Sequence, residues 1–189
     1  MVGSGCSKVW AVARRHRSDG TRESPKIVQT AILAPGRRGR RAGGPLDAQR
    51  FLTKMKAIAD TGFLVAFGNR RDLHHSWALE VAQRVTEPLL TCEAVLAETA
   101  FHLGSASLVL GFVQSGLVRP AFLLADHIPR LAELAARYAD RAPDLADLCL
   151  IRLSELHPKH PVITTDLGDF RIYRRGRREV IPLIHPPNL

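Results

Sequence analysis

The sequence predicts an α/β fold with a mostly parallel sheet. Short apolar runs of strand length alternate along the chain with longer segments of helical spacing, and Pro88, Gly104, Gly116 and Pro143 punctuate them. With 189 residues the chain suffices for one ordinary domain and is short for two. No internal repeat is visible.

The first run, Lys56-Ala-Ile-Ala-Asp60, reads as a buried strand ending in an acid. Residues 62–67 follow as a short segment that Asp60 is placed to cap. Residues 72–84 carry Leu73, Trp77 and Val81 at helical spacing. Leu89-Leu90-Thr91 is a second strand, and Thr91 is expected to cap a helix that runs to Leu103 and stops at Gly104. Residues 105–115 form another helix closed by Gly116, and residues 118–123 a third strand. Residues 125–138 are amphipathic, with Ile128, Leu131, Leu134, Ala135 and Tyr138 on one side. Pro143 is expected to open a helix to about Leu156. Residues 162–165 make a fourth strand ending at Asp166, and residues 180–184 a fifth. Ligands in such a sheet sit beyond the carboxyl ends of the strands.

Charge divides the chain at about residue 54. Of 27 basic and 18 acidic residues, 12 and 3 fall in residues 1–54, which leaves 15 of each in the remainder. The net charge of +9 therefore belongs to the first segment and says nothing about the domain. That segment alternates arginine clusters with Gly, Pro and Ser, and only residues 26–34 have strand character. It reads as disordered: a transit segment, a basic RNA-binding tail or, the reading the sequence favours, an upstream extension with translation starting at or near Met55, one of only two methionines. The domain is expected over residues 55–187. Three widely spaced cysteines, Cys6, Cys92 and Cys149, give neither a disulfide framework nor a zinc pattern and read as reduced thiols in a cytoplasmic protein. No apolar run reaches the roughly 18 residues needed to span a bilayer.

The chemistry lies in acids set among apolar residues. Asp60 stands between two apolar runs, and Glu98 sits in Ala94-Val-Leu-Ala-Glu98-Thr-Ala-Phe101, the least polar helix, where an unpaired buried carboxylate costs several kcal/mol. Pairing with His102 at i+4 is the plainer role for Glu98. Asp144 and Asp147 share one helix face near its N-terminus, where the dipole alone favours carboxylates. Asp166 and Asp169 follow the fourth strand, and turn chemistry around Gly168 is the plainer role for Asp169. In a parallel sheet Asp60 and Asp166 open on the same edge, flanked by the helices of Glu98 and Asp147. Four carboxylates in one cleft raise each other's pKa unless a cation holds them, and an all-oxygen set selects Mg²⁺, with Mn²⁺ as a substitute.

Asp60-Thr61-Gly62-Phe63-Leu64, Ala97-Glu98-Thr99, Asp144-Leu-Ala-Asp147 and Thr164-Thr-Asp166-Leu-Gly-Asp169-Phe170, in that order, resemble the PIN domain, and in particular VapC-type toxin ribonucleases of type II toxin–antitoxin systems. The resemblance covers about residues 55–185. It implies a three-layer α/β/α fold with about five strands and a Mg²⁺-dependent endoribonuclease that cuts by metal-activated water. It also implies a homodimer and a small antitoxin partner that occupies the groove. Asp60, Glu98 and Asp147 match the metal ligands; Asp166 or Asp169 fills the place of a fourth acid. Thr61 and Thr164 match supporting hydroxyls. Gly62 departs from the pattern, since Ser is frequent there. Phosphate contacts are expected from Arg70 and Arg71 and from Arg171, Arg174, Arg175, Arg177 and Arg178. One rival reading is a catalytically weak PIN-like module that binds RNA or a partner; another is a phosphatase-like α/β enzyme with Asp60 as nucleophile, against which Gly62 stands where that chemistry usually wants a second acid.

Overall fold

The computed structural model describes residues 55–187. The expected basic extension and its short strand lie outside the described residues.

Five short strands, β1 (Ile58–Ala59), β2 (Leu89–Thr91), β3 (Val118–Pro120), β4 (Val162–Ile163) and β7 (Leu183–Ile184), form one sheet in the order β3-β2-β1-β4-β7. Every pairing in it is parallel. Helices α1 (Thr61–Gly68), α2 (His75–Gln83), α3 (Glu93–Leu103), α4 (Ala106–Gln114), α5 (Ile128–Arg137), α6 (Leu145–Leu156) and the single turn α7 (Leu167–Phe170) flank it in a three-layer α/β/α arrangement. The predicted fold class is the one observed. Burial on both sides explains why the inner strands β1, β2 and β4 are almost wholly apolar: Ile58, Ala59, Leu89, Val162 and Ile163 are wholly buried, whereas the edge strand β3 carries the exposed Arg119. Helix α6 buries Leu148, Cys149, Leu150, Ile151 and Leu153, so it too lacks a polar stripe. Cys92 and Cys149 are buried free thiols, as the apolar surroundings suggested.

The strand order fixes where a ligand can go. From the central β1 the chain winds outward through β2 to β3, then returns to the other side of β1 with β4 and β7. The winding direction thus reverses between β1 and β4, and such a switch point opens a crevice at the carboxyl ends of the two strands. Ala59 pairs with Ile163. The next residues, Asp60 and Thr164, are therefore brought side by side at that crevice.

Several element boundaries differ from the sequence reading. Leu73 is 90 % exposed, because α2 starts only at His75 and a turn closed by Asp72 Oδ1 and His74 N precedes it. Thr91 belongs to β2, where its hydroxyl donates to Ala59 O at 3.1 Å, and Cys92 takes the N-cap position of α3 with no side-chain bond. Gly104 ends α3 in the left-handed region, at φ 63°, as expected. Ile128 is half-exposed, since a 3₁₀ turn over Leu124–His127 precedes α5 and shifts its buried face to Leu131 and Leu134. Pro143 lies ahead of α6; Asp144 is its N-cap. The fifth predicted strand is two. β6 (Glu179–Val180) pairs antiparallel with β5 (Arg174–Arg175) in a separate hairpin, and β7 joins the main sheet. Pro182, which has no N–H, separates them and contributes only its carbonyl, to Val162 N.

Candidate functional site

Asp60 ends β1 and caps α1. Its Oδ1 accepts from Thr61 N and its Oδ2 from Thr164 Oγ1, each at 2.6 Å. It is 7 % exposed. Burial pushes its carboxyl up to about 6; the bonds from Thr164 and Thr61 oppose this, and the nearby charges of Glu98 and Asp166 add to it. The cap and a role in the cleft coexist in one residue.

Glu98 reaches the same place from α3. Thr61 Oγ1 donates to its Oε2 at 2.8 Å, which ties the first residue of α1 to the middle of α3. Its side chain is 33 % exposed and not buried as the apolar helix suggested, because this face of α3 opens to the cleft. His102 Nε2 stands 3.7 Å from Oε1, so the i, i+4 pairing is present as well.

Asp147 and Asp144 divide two roles on α6. Asp144 Oδ1 accepts from Asp147 N at 2.8 Å and is the cap. Asp147 is half-buried one turn deeper and accepts at Oδ2 from Tyr173 OH at 3.0 Å. Burial, then the charge of Asp144, raise the Asp147 carboxyl to about 7; the Tyr173 bond opposes the rise, and Asp60 and Asp169 reinforce it. Tyr173 is completely buried, and its phenol is pushed upward by that burial and by Asp147.

Asp166 takes the turn role expected of Asp169, and both residues line the cleft. Asp166 is exposed and caps α7, its Oδ1 accepting from Asp169 N at 3.3 Å, while its own N–H donates to Thr164 Oγ1 at 2.8 Å. The turn chemistry thus belongs to Asp166, and Asp169 is half-buried beside it.

All six of these acids, with Asp72, line one cleft of about 340 Å³. Among the described residues, its wall has one histidine, His102, and no lysine or arginine. Seven carboxylates with His102 as the one basic side chain beside them on the cleft wall form an electrostatic environment that a divalent cation would relieve. The donors are hard oxygens, which fits Mg²⁺ or Mn²⁺. Yet among the described residues no group of three or more His, Cys, Asp or Glu is arranged to hold a metal ion. Each acid of the central four has an oxygen engaged by the protein: Asp60 by Thr61 and Thr164, Glu98 by Thr61, Asp147 by Tyr173 and Asp166 by Asp169.

The expected arginine contacts separate into two kinds. Arg70, Arg71, Arg171, Arg177 and Arg178 are exposed and lie outside the cleft wall. Arg174 is half-buried and donates to Arg171 O and Tyr173 O. Arg175 is 5 % exposed and bonded to Pro158 O and Glu179, so it fastens the hairpin and presents no surface to a phosphate. Asp72, Thr165 and Tyr173 are the residues that sequence reasoning missed. Thr165 had a signal, its place between Thr164 and Asp166; Tyr173 had none.

No family model matches the chain, and no curated protein matches it either. No helix among the described residues is long and apolar enough to cross a membrane.

Proposed function

We propose that this chain is a metal-dependent endoribonuclease of the PIN type, the VapC-like toxin of a toxin–antitoxin pair acting in the cytoplasm. One observation carries the reading. Asp60, Glu98, Asp147 and Asp166, contributed by four separate elements, line one cleft at the switch point of a parallel sheet. The order of the four motifs supports the family assignment. The partners on this reading are RNA, a small antitoxin that covers the cleft, and a second copy of the chain.

Mg²⁺, with Mn²⁺ as a substitute, would be held by Asp60, Glu98 and Asp147 with Asp166 as the fourth acid; when bound it lowers the pKa of water and stabilises charge on a phosphodiester. The residues supply position. Thr164 and Thr61 N fix both oxygens of Asp60, Thr61 Oγ1 holds Glu98 toward the cleft, and Tyr173 holds Asp147. The reaction is hydrolysis: water adds to phosphorus, the 3′ oxygen leaves and takes a proton, and the products carry a 5′-phosphate and a 3′-hydroxyl. The test is cleavage of single-stranded RNA by the full chain with Mg²⁺ and with EDTA, beside Asp60→Asn. Cleavage is expected to need the metal and to fall at least about 100-fold in the variant. Undiminished cleavage by Asp60→Asn would refute the assignment.

The second reading is a catalytically weak PIN-like module that binds RNA or a partner; the protein donors that already engage Asp60, Glu98, Asp147 and Asp166 favour it. Calorimetric titration separates the two, since a module that binds no metal gives no specific heat with Mg²⁺.

A further inference from the structure

Gly62 and Thr165 meet across the cleft wall. A Cβ built on Gly62 would lie 2.2 Å from Thr165 Oγ1, closer than real Cβ contacts come. The Thr165 hydroxyl therefore fills the space that any side chain at position 62 would need. Gly62 is the second residue of α1, with no left-handed backbone angle to require glycine. Glycine inside a helix is unfavourable by up to about 1 kcal/mol relative to alanine. Its physical justification here is the close approach of Thr165.

That approach leaves a hydroxyl with nothing to bond. Thr61 Oγ1 donates to Glu98, and Thr164 Oγ1 donates to Asp60 and accepts from Asp166 N. Thr165 is half-buried, lines the cleft, and makes no side-chain hydrogen bond among the described residues. Nearly every other polar side chain on the wall is a carboxylate, which when ionised only accepts. The non-bridging oxygens of a phosphodiester also only accept, so they need donors, and phosphate contacts from Ser and Thr hydroxyls are common. We infer that Thr165 Oγ1 donates to a non-bridging oxygen of the phosphodiester in this cleft, and that Gly62 clears the place for it. The inference rests on the nuclease reading and assigns the residue to substrate binding, apart from the metal ligands.

The test uses the full chain, a short labelled single-stranded RNA and four variants, with cleavage measured in Mg²⁺, RNA binding by fluorescence anisotropy in Mg²⁺ with an uncleavable methylene-bridged RNA analogue that keeps both non-bridging oxygens, and Mg²⁺ affinity by calorimetry. Thr165→Val keeps the shape and removes the hydroxyl. It is expected to lower kcat/KM and to weaken RNA binding by about tenfold, with Mg²⁺ affinity and Tm unchanged. Thr165→Ser recovers most of that loss. Gly62→Ala drives the hydroxyl from its place and reproduces the Thr165→Val defect, while Gly62→Ser combined with Thr165→Ala, which brings a hydroxyl from the opposite wall, restores part of it. Wild-type cleavage and RNA binding in Thr165→Val would overturn the inference alone, and so would a loss of Mg²⁺ affinity, which would move the residue to the metal site. No cleavage by the wild-type chain itself would overturn the nuclease reading and this inference with it.

Discussion

Removing the charge of Asp60 is expected to stabilise the metal-free protein at neutral pH. The folded-state carboxyl sits at about 6 against an ordinary value of 3.8. A carboxyl raised in the folded state contributes stability that is fully present below the unfolded value and is lost as pH rises through the folded one. At about 1.4 kcal/mol per pH unit, the whole interval is worth roughly 3 kcal/mol, of which roughly 2 kcal/mol falls between pH 4.5 and 7.5. Asn in place of Asp60 keeps an oxygen for Thr61 N and cannot ionise, so it abolishes this dependence. The assay is urea unfolding of EDTA-treated full-length protein at the two pH values, wild type beside Asp60→Asn. Over that interval the wild type is expected to lose about 2 kcal/mol relative to the variant. Mg²⁺ at about 100 times its Kd should return roughly 2.7 kcal/mol to the wild type alone, by binding the folded state. Parallel stability curves for the two proteins without metal would refute the reasoning, because Asp60 would then be no harder to ionise folded than unfolded.

Two further perturbations test the surroundings of the site. Tyr173→Phe removes the donor to Asp147 Oδ2 and leaves the buried ring; since that bond lowers the Asp147 pKa, its loss should move the acid limb of the pH–rate profile to higher pH, and an unmoved limb would exclude Tyr173 from the site. Glu155→Gln breaks the knot in which Glu155 accepts from Arg130, Arg152 and Gly176 N, and should cost about 2 kcal/mol by urea unfolding at pH 7. Although burial raises the Glu155 carboxyl, its bonds from Arg130, Arg152 and Gly176 prevail and hold it below 4.5, so this contribution is present above that pH and fades as pH falls through the folded value. A deficit that is the same at pH 3 and pH 7 would show the loss to be one of packing.

The acids were legible in the sequence because a parallel sheet constrains them. A strand-terminal residue in such a sheet has one place to go, so Asp60 and the segment after β4 were bound to meet once both strands were recognised. Helical spacing did the same for Asp144 and Asp147. The partners of these acids were not legible. Tyr173 reaches Asp147 only because the hairpin of β5 and β6 packs on α5 and α6, with Arg174 N on Tyr138 OH and Gly176 N on Glu155. In sequence the hairpin is an arginine-rich stretch with no apolar alternation, so it resembled solvated surface and its buried Arg175 resembled a phosphate contact. That the turn is capped by Asp166 and not by Asp169 was equally hidden, since either carboxylate can serve a turn of that spacing and only the backbone path selects one.

The hydrogen bonds that hold the acids also bear on which cation suits them. Asp144, Asp147 and Asp166 each have one oxygen held by the protein and one with no protein donor among the described residues, while Glu98 has Oε2 held by Thr61 and Oε1 left facing His102. Such carboxylates offer one oxygen apiece. Ca²⁺ takes six to eight oxygens and often a bidentate carboxylate, which these bonds would have to break to supply. Mg²⁺ keeps several of its waters and needs few direct carboxylate oxygens, so Asp60, Glu98, Asp147 and Asp166 would divide between direct and water-mediated contact with Thr61, Thr164 and Tyr173 still in place. Asp144 and Asp60, as caps, also sit at the starts of α6 and α1, where the helix dipole favours negative charge without a metal. The caps offset only part of the cost of these charges, and Asp60 and Asp147, raised to about 6 and about 7, are the two whose ionisation a cation would help most.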